Sequence, residues 1–217
     1  DRQFAQGEYA HALLVGDDLD EESFQKFARK VQFYTGLSEE YIKQSRLKIN
    51  KFRFLEEFLK SQTKVIGRFD CRISGPNTLQ WCSGYSYDPS LELYLGPYTA
   101  AFNHYVRSDL KWDSPEEYVI LATNIKWDFT KATNKYLDVS GDVLEAMTKN
   151  GRLKLFIGNG YYDLALPYAS TVYTLNHMGL TPEQHKKVTL KEYEGGHMMY
   201  HDKKNLELLK RDLADFY

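Results

Sequence analysis

His197 and Asp163 are the residues of this chain whose types and settings could move a proton. His197 follows Gly195 and Gly196 at the end of a short apolar run, in the sequence Tyr-Glu-Gly-Gly-His-Met-Met-Tyr (193–200). Asp163 leaves a second apolar run, residues 153–158, by way of Asn159-Gly160-Tyr161-Tyr162. An imidazole can take a proton from a hydroxyl near neutral pH, and a carboxylate on its other nitrogen fixes the tautomer and stabilises the imidazolium. Each residue also has a plainer use. Asp163 precedes Pro167 by four positions and could cap the next helix, and His197 could satisfy backbone groups of its own glycine turn. Their chain order and matching strand-end positions favour a pair that acts together.

Strand, carboxylate, helix, strand, histidine is the order found in the second half of an α/β-hydrolase, where the nucleophile precedes both. That nucleophile is missing. A serine elbow needs glycine on both sides within Gly-x-Ser-x-Gly. Ser86 comes nearest, with Gly84 before it, but Asp88 and Pro89 follow and the run reads as a turn. Cys71 lies in a strand-like run and Cys82 beside Trp81, neither framed as an elbow. A metal centre is not expected. His197 and His201 have i, i+4 spacing, but Met198 stands where a zinc protease has its glutamate, and Gly195-Gly196 opposes a helix there. No cofactor motif is present.

The chain has 217 residues, enough for one large or two small domains with a real core. A net charge of −2 and a pI near 6.3 argue against a nucleic-acid binder, which needs a basic face to neutralise phosphates. No apolar run is long enough to span a membrane. Seventeen tyrosines fit a pocket or interface, and equally the core and surface. Cys71 and Cys82 are spaced to close a short loop by a disulfide, which favours an oxidising compartment; two buried thiols are the alternative. The chain opens at Asp1 with an amphipathic pattern at Ala5, Tyr9, Ala12 and Leu13, and reads as cut from a longer polypeptide.

Periodicity then orders the elements. The first sixty residues are expected to be helical, with Phe24, Phe27, Ala28 and Val31 as one stripe, Gly36 as a C-terminal cap and Ser38 as an N-cap. Alternation over 64–74 predicts one strand with Arg68, Asp70 and Arg72 on a single face, either a ligand ladder or a self-paired exposed face. Residues 75–91 are turn-rich, and Pro97 is placed in the first turn of a helix reaching about residue 110. Strands at 118–123, 153–158 and 187–193, alternating with helices at 139–149 and 167–178, predict a parallel sheet. A last helix from residue 203 presents Leu206, Leu209, Leu213 and Phe216 to it.

Two stretches, LKLFIGNGYYDLALP (153–167) and VTLKEYEGGHMMY (188–200), resemble the triad-aspartate and triad-histidine regions of the serine carboxypeptidases, the family of carboxypeptidase Y and cathepsin A, in its bacterial branch. FAQGEYAHALLVG (4–16), YTGLSEEYI (34–42), VIGRFDCRISG (65–75) and YDPS (87–90) resemble the insertion these enzymes carry over the active site. Leu166 departs from a threonine common in that branch, with little bearing on the chemistry, and Tyr200 from the proline of the eukaryotic pattern, which leaves pocket shape and substrate preference open.

The resemblance implies the α/β class, as the C-terminal part of an α/β-hydrolase fold. Residues 1–115 would be a mainly helical cap and 116–217 the end of the hydrolase sheet. It implies Asp163 and His197 as the acid and base of a triad, and Met198 as a wall of the pocket for the departing residue. The expected substrate is a peptide, the expected partner an N-terminal half of the same enzyme carrying the serine, and the location secreted or periplasmic. Alone the chain would be inactive and would associate with that half or with itself. An esterase or acyltransferase on the same scaffold, and a binding module that keeps the pair as relics, are the alternatives.

Overall fold

Polar side chains placed one residue ahead of three N-terminal helical runs set where those helices begin. The structure, a computed structural model, describes residues 2–77, 87–116, 118–121 and 125–217. A turn α1 (Arg2–Phe4) continues through a π-helical turn into α2 (Ala10–Val15). Then come α3 (Glu21–Thr35), α4 (Glu39–Gln44) and α5 (Lys51–Glu57), with Asp20, Ser38 and Asn50 accepting backbone N–H groups of their first turns. Gly36 ends α3 at φ 71°, in the left-handed region that favours glycine. The stripe of α3 is buried at Phe24, Ala28 and Val31, and meets Ala12, Leu37, Ile42 and Leu47 in one apolar cluster.

The alternating run 64–74 is not one strand. β1 (Lys64–Ile66) pairs antiparallel with β2 (Ser74–Pro76), and Gly67 N–H donates to Ile73 O as the chain leaves the ladder. The expected Arg68-Asp70-Arg72 face therefore does not exist. Asp70 is buried, and the Arg68 guanidinium lies 4.8 Å from the Phe69 ring centroid. By its contacts the chain divides into two compact units, Asp1–Gly67 with Arg72–Pro89, and Arg68–Cys71 with Ser90–Tyr217. This division differs from a boundary after residue 115. The reason is α6 (Pro89–His104), whose Tyr94 and Tyr98 rings pack on His201 and whose Phe102 stacks on Tyr118.

α6 begins at Pro89, eight residues ahead of the expected start. Pro89 occupies the first turn, where its missing N–H costs nothing, and Pro97 is carried inside the helix. The strand expected at 118–123 is absent over its described part, 118–121, where the Tyr118 ring instead stacks on Phe102 at 4.0 Å. Residues 122 and 123 lie outside the described residues, as does most of the expected turn-rich loop, 78–86.

The parallel sheet is present as two strands. α7 (Ser140–Lys149) leads to β3 (Leu155–Gly160), and α8 (Tyr168–His177) and α9 (Pro182–His185) lead on to β4 (Val188–Tyr193). The register pairs Leu155 with Val188 and Gly160 with Tyr193, so both strands end at one level. Met147, Met178 and Leu180 form the core beneath, with Val143, Leu153 and Val188 packed on it. The chain is thus a mixed α/β protein.

α10 (Lys203–Phe216) covers the sheet through a face shifted from the expected one. Leu206 is exposed, and the most buried residues are polar, Asn205 and Asp212. Asn205 Nδ2 donates to Glu194 O at 3.0 Å, and the Tyr193 hydroxyl donates to Asp212 Oδ2 at 3.0 Å, with Lys191 Nζ 3.4 Å from Asp212 Oδ1. Burial, and then the hydrogen bond to Asp212, push the Tyr193 phenol up to about 12. Burial works to raise the Asp212 carboxyl, but the Tyr193 hydroxyl and Lys191 outweigh it and hold the group below its ordinary value.

A phenol raised in the folded state stabilises the fold below its unfolded pKa and loses that contribution as pH rises through the folded value. A depressed carboxyl contributes above its unfolded pKa and loses it as pH falls through the folded value. Tyr193→Phe is therefore expected to lower Tm by several degrees at neutral pH. The gap between the two proteins should close between a phenol's ordinary 10.0 and about 12. Thermal melts of both proteins across that range check it.

Candidate active site

Two strand ends without room for side chains bring Asp163 and His197 together. Beyond β3, Tyr161 N–H donates to Tyr193 O and Tyr162 N–H to Gly195 O, so the ladder continues into the two loops. A Cβ on Gly160 would lie 2.0 Å from Gly196 O, and one on Gly196 would lie 2.1 Å from Phe69 O. Neither position tolerates any other residue without moving backbone.

The Asp163 carboxylate is buried and fully engaged. Oδ1 accepts the N–H groups of Ala165 at 2.7 Å and Leu166 at 2.9 Å. Oδ2 lies 2.8 Å from His197 Nδ1. Asp163 does not cap α8, whose N-cap Pro167 carries no side-chain bond. An ionised carboxylate only accepts, so the neutral imidazole carries its proton on Nδ1 and keeps Nε2 as a base. The His197 side chain is 33% exposed against 7% for Asp163, and among the described residues Nε2 has no hydrogen-bond partner. The pair is thus a buried carboxylate that orients a histidine whose free nitrogen is open to a reactant.

A third contributor, the segment Arg68–Cys71, is not singled out by any motif of its own. Phe69 O accepts the His197 N–H at 2.6 Å, Arg68 O accepts Leu164 N–H at 3.0 Å, and Cys71 N–H donates to Tyr162 O at 3.0 Å. Asp163 is bracketed on both sides by these last two bonds. The one visible clue was Gly67, which interrupts the alternation where the chain turns toward the site.

Met198, next to His197, lines an apolar pocket of about 150 Å³ with Leu91, Tyr94, Tyr98, Phe102 and Ile120. His201 stands in a 3₁₀ turn, Met199–His201, with its ring 4.6 Å from that of Tyr94 and 5.4 Å from that of Tyr98. Among the described residues, no three or more His, Cys, Asp or Glu side chains gather as metal ligands. Cys82 and Ser86 lie outside the described residues, and with Cys82 lies the expected disulfide. No helix among the described residues is long and apolar enough to cross a membrane.

Comparison of the chain with protein-family models, with curated proteins and with solved structures found no match.

Gly196→Ala is expected to separate the His197 turn from Phe69, because the added methyl takes the space of Phe69 O. Amide hydrogen exchange at His197 should be slow in the unaltered chain, where Phe69 O accepts its N–H, and fast in the variant, with a lowered Tm.

Proposed function

We propose that the chain is the C-terminal part of a serine carboxypeptidase of the α/β-hydrolase fold, supplying the aspartate and histidine of its triad. The observation that carries the reading is the 2.8 Å bond from His197 Nδ1 to a buried Asp163 carboxylate, with Nε2 left open. The resemblance of residues 153–167 and 188–200 to the family's acid and base regions supports it from the sequence.

In the intact enzyme, a serine from the N-terminal half would give its proton to His197 Nε2 as its oxygen adds to the carbonyl of the C-terminal peptide bond. The same nitrogen then returns the proton to the departing amine, and the C–N bond breaks to leave an acyl-enzyme. Water, deprotonated by His197, hydrolyses the ester. Asp163 holds the imidazole in the required tautomer throughout and stabilises its charged form. Met198 would form part of the pocket for the departing residue.

Two features support a partner that carries the serine. The edge of β3 away from β4 has no strand partner among the described residues, and an apolar groove of about 420 Å³ runs beside it, lined by Val139, Val143, Leu155, Ile157 and Leu166. Parallel sheets are normally covered on both faces and continued at their edges. A strand of the N-terminal half would fill that edge, and in its absence the chain would self-associate there. Secretion to an oxidising compartment, the cell exterior or the periplasm, completes the reading.

The test is to express the chain with the N-terminal half of its own gene and assay blocked dipeptides and simple esters. Release of C-terminal amino acids is expected, with Asp163→Asn lowering kcat by about 10⁴-fold. Turnover of esters alone would favour an esterase on the same scaffold, and turnover of neither would leave the pair as a feature of a binding module.

A further inference from the structure

A single hydrogen bond does not fix an imidazole. The torsion that turns a histidine ring is broad and roughly two-fold, so the ring can rock, or flip and exchange Nδ1 for a carbon. Either motion would part His197 from Asp163 Oδ2. The ring is held from a second direction. Phe69 meets it edge-on, with centroids 4.9 Å apart and planes at 65°, a favoured aromatic arrangement. Phe69 is itself held on three sides. Its N–H donates to the fully buried Ser90 Oγ at 3.0 Å, its carbonyl accepts the His197 N–H, and the Arg68 guanidinium lies over its ring.

We infer that Phe69 is the positioning residue for the His197 imidazole, its ring fixing the orientation in which Nδ1 meets Asp163 and Nε2 faces the reactant. Its carbonyl sets where the histidine backbone stands, and its ring sets how the side chain is turned. One residue thus places both ends of the base. The consequence for turnover rests on the carboxypeptidase reading, whereas the effect on the ring does not.

The test uses the purified chain and its Phe69→Leu and Phe69→Tyr variants. Both keep the carbonyl that anchors the His197 backbone, and only tyrosine keeps an aromatic ring. Nitrogen-15 NMR of the unaltered chain should show one neutral His197 tautomer, protonated at Nδ1, with cross-relaxation between the Phe69 and His197 ring protons. Phe69→Leu should lose the single tautomer and the slowly exchanging Nδ1 proton, and Phe69→Tyr should restore both. In the enzyme reassembled with its N-terminal half, Phe69→Leu should lower kcat by roughly 10- to 100-fold and leave KM unchanged.

A Phe69→Leu chain that keeps one Nδ1-protonated tautomer would overturn the inference. So would the absence of ring-to-ring cross-relaxation in the unaltered chain, a measurement that needs no variant to fold. A reassembled protein without activity, alongside the expected spectra, would count against the carboxypeptidase reading and leave the positioning role standing.

Discussion

The arrangement depends on two parallel strands ending at the same level. Because Gly160 pairs with Tyr193, the chain leaves β3 and β4 side by side, and Asp163 and His197 stand three and four residues beyond those ends. A slip of one residue would turn each strand's side chains to the opposite face and part the carboxylate from the imidazole. The register is held from beneath by the cluster of Met147, Met178 and Leu180, and from the side by α10, whose Asn205 and Asp212 grip Glu194 O and the Tyr193 hydroxyl. These are polar anchors at the contact between α10 and the sheet. They fix α10 at defined atoms, where leucines alone would leave it free to slide.

Glycine at 160 and 196 is the second condition. The strand ends approach so closely that backbone touches backbone, and the His197 turn is pressed against Phe69 O and the Asp70 backbone. That contact leaves the Asp163 carboxylate buried but satisfied, with three donors for its two oxygens. A buried carboxylate without such donors would carry a large desolvation cost. The same environment leaves the His197 side chain partly exposed, with Nε2 unpartnered among the described residues.

Much of this was legible in the chain. Asp163 and His197 stood out because each follows an apolar run through glycine, and the caps at Ser38 and Gly36 followed from local rules that need no tertiary knowledge. What was not legible depended on contacts distant in sequence. The alternation over 64–74 looked like one strand because periodicity does not register that Arg68–Cys71 bonds to Tyr162, Leu164 and His197, nearly a hundred residues or more away. Leu206 looked like core because its spacing matched the stripe of α10, whereas Asn205 and Asp212 had partners only the fold could supply. The start of α6 at Pro89 was hidden by a second proline, Pro97, that the helix carries in its interior.

The carboxypeptidase reading makes Asp163 and His197 the acid and base of a serine nucleophile carried elsewhere in the same protein. Its most direct test is to treat the native gene product with a fluorophosphonate, denature it and record intact masses with and without reductant. One phosphonylated serine is expected, on a companion chain or on a longer polypeptide that contains this one, with labelling abolished by His197→Ala. No label on any chain, or labelling that persists without His197, would contradict it.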